Sequence, residues 1–171
     1  MRPTVFFLIT LAFANILFAQ TNIHPNHNHT VPDLIDGALH PELIPDATAY
    51  RLYFVAVSEM PNPTEEQKAR QTAHLRRMRL TDNDMQSTII ALEEFKVQYT
   101  NLIALYNESA KAADVAGRKP DFDTFRLQRD ALVQRTRERV KSVLTPDGLA
   151  RFDGHIQDEK RNMKVSSKEG Q

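Results

Sequence analysis

Two kinds of apolar pattern run along this chain. Residues 5–18 form an almost unbroken apolar stretch, interrupted only by Thr10 and Asn15. From residue 46 onward apolar positions instead recur every three or four residues, the period of an amphipathic helix. Tyr50, Phe54 and Val57 set the first such face, so a helix is expected from Asp46, whose carboxylate suits an N-cap. The aromatic and β-branched content of 50–57 also permits a strand there. After Pro61-Asn62-Pro63, Thr64 and Gln67 stand in capping-box spacing, which predicts a second helix from Thr64 to about Arg79.

The strongest signal lies further on. Leu92, Phe95, Tyr99, Leu102, Tyr106, Ser109 and Ala113 alternate three- and four-residue steps, one heptad-like seam. Thr81 opens this helix, with Asp82 and Asp84 in its first turn where the macrodipole favours negative charge. Gly117 and Pro120 end it, giving about 35 residues and ~52 Å at 1.5 Å per residue. Asp121 or Asp123 then caps a helix whose apolar face is Phe122, Phe125, Leu132, Thr136, Val140 and Val143. Thr145-Pro146 starts a last helix, carried by Leu149, Phe152, Ile156 and Met163. The expected fold is all-α: an elongated bundle of four or five helices around a long antiparallel hairpin spanning 81–143. Residues 45–165 form this helical domain, and 166–171 a polar, disordered tail.

Composition refines the picture. The early apolar stretch follows Arg2 and ends at the small residue Ala19, the layout of a secretory signal and too short for a spanning helix, which needs ~20 residues. Residues 1–19 are therefore read as a cleaved signal peptide, and the protein as periplasmic or secreted, without stable membrane insertion after cleavage. Residues 20–44 contain Pro25, Pro32 and Pro41 and no apolar period, which reads as a flexible lead-in. The chain has no cysteine, so disulfides and thiolate chemistry are excluded. Lys plus Arg and Asp plus Glu both number 22, a balance that argues against nucleic acid as partner.

Candidate chemistry is sparse. His24, His27 and His29 sit in a six-residue tract whose neutral imidazoles suit a divalent metal. The plainer reading of the same tract is a solvated linker that binds metal only adventitiously. His155 and Glu159 share a helix face at i, i+4 and reach a common point. None of the metalloprotease, di-iron, hydrolase, dinucleotide or P-loop patterns is present. A non-enzymatic protein with no obligate cofactor is expected.

Leu80-Thr81 and Leu144-Thr145 both precede a helix and bracket the hairpin. This resembles the paired LTxxQ motif of the Spy/CpxP-type periplasmic proteins, although Asp84 and Gly148 stand where the closing glutamines belong. A Leu-Thr pair is also what an ordinary N-cap requires. The resemblance implies a curved antiparallel dimer that shields unfolded protein clients, in some members with a response to metal. The function expected is thus an exported helical binding protein, chaperone-like or part of an envelope-stress response. Two alternatives stand beside it: a structural domain for one specific envelope partner, and a metal-buffering protein using the histidine tract.

Overall fold

The computed structural model describes residues 34–166. The element order is β1 (Leu34–Asp36), α1 (Asp46–Val57), α2 (Glu65–Arg76), α3 (Asp82–Val115), α4 (Phe122–Val143), α5 (Pro146–Glu159) and β2 (Lys164–Ser166). Single 3-10 turns occur at Pro41–Leu43 and Lys160–Asn162. The fold is all-α, with five α-helices among the described residues and one two-stranded ribbon.

Helix starts follow local chemistry. Thr64 accepts from the Gln67 backbone N–H while Gln67 bonds the Thr64 N–H, a complete capping box. Thr81 caps α3 through the Asp84 N–H, Asp121 caps α4 through the Thr124 N–H, and Thr145 caps α5 through the Gly148 N–H. Gly117 has φ 63° just past α3, a conformation that side-chain-bearing residues enter at a cost. The α3 chain therefore turns back within a few residues into α4. Cross-links confirm the antiparallel hairpin, since partners descend on α4 as they rise on α3. Glu94 meets Arg139, and further along α3 the Tyr106 ring meets Phe125.

Asp46 departs from its expected role. Pro45 occupies the N-cap position of α1, and the Asp46 carboxylate instead accepts from Lys160 Nζ at 2.6 Å and Gln157 Nε2 at 3.0 Å. Residues 50–57 are helical, because four of their side chains (Tyr50, Tyr53, Phe54 and Val57) pack onto other helices along one face. The core gathers there. Phe54 lies within 5.4 Å of Phe95 and 6.5 Å of Phe152 between ring centroids, and all three are fully buried.

The lead-in boundary at residue 44 needs correction. Residues 34–36 pair antiparallel with 164–166, placing Ile35 opposite Val165, and both are buried. Ile44 is buried as well. Three residues are too few to show a strand period, so this clasp is invisible without its distant partner. Ser166, assigned to the tail, pairs with Leu34, while Met163 lies beyond α5 rather than on it. The signal segment 1–19 and residues 167–171 lie outside the described residues.

The two Leu-Thr starts meet in space. Asp84 Oδ1 accepts from the Thr145 backbone N–H at 2.9 Å, and Oδ2 from the Thr145 hydroxyl at 2.7 Å. A Cβ on Gly148 would stand 2.4 Å from Asp84 Oδ2. The two departures from glutamine are thus one arrangement: glycine makes the room that the carboxylate occupies.

Candidate binding surface

Burial along the hairpin is strongly uneven. On α3 the last buried residue is Phe95, and on α4 the first is Arg129. No residue from 96 to 128 is buried, so this stretch is a two-helix arm that rises past the core. Two helices cover one stripe of each other, and a third element is needed to cover the rest. Near its base the stretch still meets the core through Tyr99 and Met60 through Thr100, while most residues from 101 to 128 are exposed.

The arm is nonetheless rich in apolar side chains. Its inner seam is aromatic: Tyr106 lies 4.6 Å from Phe125 and 6.2 Å from Phe122, centroid to centroid. A groove of about 260 Å³ opens beside it. Leu102, Leu105, Tyr106 and Phe125 supply apolar walls, and Ser109 and Gln128 a polar edge. Ile103, Leu105, Val115, Phe122 and Leu127 are exposed, Leu105 at 70% and Val115 at 90%. Single exposed leucines are ordinary; here five large apolar side chains are exposed on one arm. The spacing Tyr99–Leu102–Tyr106 signalled the seam in the sequence; Leu105 and Leu127 fall off that spacing and carried no signal.

The histidines divide. His24, His27 and His29 lie outside the described residues. His155 and Glu159 are brought together, with Nε2 to Oε1 at 3.7 Å. Among the described residues no group of three or more His, Asp or Glu is placed to hold one metal ion.

Arg70 pairs with the buried carboxylate of Glu59, and the Arg137 guanidinium sits 4.4 Å over the Tyr50 ring centroid. That stack joins α4 to α1, a cation–π contact that spacing alone did not reveal. The Tyr50 hydroxyl donates to Asp153 on α5. Burial pushes the Tyr50 phenol well above its ordinary value and the neighbouring carboxylate adds to the effect, so it stays a protonated donor at neutral pH. Among the described residues no helix is long and apolar enough to cross a membrane.

No protein-family profile, curated protein or solved structure matches this chain.

Proposed function

We propose that this protein is an exported, non-enzymatic binding protein of chaperone-like type that docks apolar segments of non-native polypeptide on the 96–128 arm. One observation carries the reading: an arm with no buried residue that still presents Leu105, Val115, Phe122 and Leu127 to solvent. Large exposed apolar patches are characteristic of interaction surfaces. The arm needs no covalent chemistry to act, and its groove pairs apolar walls with a polar edge that suits a peptide backbone. The resemblance to Spy/CpxP-type proteins points the same way.

The test is suppression of aggregation of a chemically unfolded model protein. Leu105→Ser, Phe122→Ser and Leu127→Ser combined should abolish most of the suppression. Exposed sites usually move stability by no more than ~0.5 kcal/mol each, so the melting temperature should hardly change. Full suppression by the triple variant would refute the reading. A dimer of the wild type in sedimentation, lost in the triple variant, would assign the arm to a second copy of this chain.

Export is tested separately. Protein recovered from outside the cytoplasm should begin at Gln20, by N-terminal sequencing. A start at Met1 in a membrane fraction would overturn the assignment of 1–19.

A further inference from the structure

Two buried polar atoms on facing helices have no hydrogen-bond partner among the described residues: the Tyr53 hydroxyl on α1 and Nε2 of His155 on α5. Their rings meet edge to face, with centroids 5.7 Å apart and planes at 83°. The same Tyr53 ring stands edge-on to Phe152, 6.1 Å away, and Phe152 is the centre of the α5 core face. The seat of α5 on α1 is therefore built around an imidazole whose inner nitrogen is sealed from water.

We propose that His155 is an acid-sensing latch: protonation of its half-buried ring loosens α5 from α1 and opens the aromatic cluster that α5 covers. This inference does not depend on the arm reading.

The charges around His155 decide the direction. From α5 itself come Asp158 and Glu159, which favour the imidazolium. From α2 and the residue that ends it come His74 and Arg77, which oppose it, and α1 contributes only the Tyr53 ring and hydroxyl. The two acids are the stronger pair, and the two bases offset them only in part. Loss of hydration outweighs what remains and is the largest cause holding His155 below its ordinary value of 6.5. Glu159 at 3.7 Å is beyond hydrogen-bond length, so protonation in place gains no short bond in return.

The sign follows. A histidine lowered in the folded state binds its proton more readily when α5 is released. Stability is therefore full above about pH 6.5 and declines as pH falls from there through the lower folded value. Each unit of lowering corresponds to up to a tenfold shift toward the released state. The α5 residues Phe152 and Ile156, fully buried at neutral pH, are the surface that release exposes.

The full chain should be titrated in urea between about pH 7.5 and pH 5, with hydrogen exchange of the α5 amides followed in parallel. The wild-type midpoint should fall across this interval, and α5 exchange, corrected for intrinsic rate, should accelerate before that of α3. His155→Phe keeps a ring of similar size and cannot titrate, so its midpoint should stay level there. An equal fall in wild type and variant would overturn the latch. Should His155→Phe not fold, NMR titration of the wild-type His155 ring decides alone. A midpoint below 6.5 with α5 shifts in step supports the latch, and one at or above 6.5 overturns it.

Discussion

Phe95→Ala is expected to lower the unfolding free energy by about 3–5 kcal/mol, read as a fall in the urea midpoint at unchanged slope. Phe95 is fully buried where α3 leaves the core for the arm. Its ring lies 5.4 Å from Phe54 and stacks on Tyr99 at 5.3 Å, so truncation leaves a void between α1 and α3 that the aromatic walls cannot fill. Domains of this size hold about 5–15 kcal/mol in total, so this one change consumes a large part. Leu132→Ala, on α4 and also buried, should cost about 2–5 kcal/mol. Leu105→Ala lies on the same α3 helix but is exposed, and should shift the midpoint by no more than ~0.5 kcal/mol. The contrast separates the root of the hairpin, which is core, from the arm, which is surface. An unchanged midpoint for Phe95→Ala together with weaker aggregation suppression would make the root a client face instead.

Asp84→Ala is expected to cost about 2–3 kcal/mol. It removes two hydrogen bonds to a charged group, and such bonds contribute ~1.5–3 kcal/mol each. The expected cost falls to the bottom of their combined range of ~3–6 kcal/mol or below it, because Asp84 is sealed by its immediate neighbours rather than lying deep in the core, and nearby solvent screens it. The carboxylate is also attracted by the N-terminal ends of both α3 and α5, one of which it belongs to and the other of which it faces. The same geometry sets a pH dependence. The Thr145 backbone N–H, then the Thr145 hydroxyl, hold the Asp84 carboxyl below its ordinary value, with Thr81 and Arg151 adding to the effect. A lowered carboxyl stabilises the fold above its unfolded value of ~3.9 and loses that contribution as pH falls through the lower folded value. Asp84→Asn should therefore flatten part of the acid limb of the stability curve. Asp36, Asp46 and Asp121 are lowered too and should keep their share. An acid limb identical in wild type and Asp84→Asn would show that the carboxylate does not hold α5.

The amino-acid sequence by itself determined what is local. Thr64, Thr81, Asp121 and Thr145 each accept from the backbone N–H three residues on, a contact within one turn of chain, so the starts of α2, α3 and α5 were legible to the residue and that of α4 to one of two aspartates. The α3 seam was legible because helical periodicity repeats over many turns, and the hairpin because Gly117 and Pro120 allow a short return. The tertiary structure alone decided what depends on distant partners. Asp84 and Asp46 both look like first-turn acids in sequence, yet one is bound by Thr145 and the other by Lys160. Ile35 and Val165 become a buried pair only when the two ends of the domain meet. Which part of the long seam is core and which is surface was likewise undecided, because a helix carries the same pattern whether or not a third element covers it. The placement of α1 against the root of the hairpin, with Phe54 seated on Phe95, separates Phe95 from Tyr106.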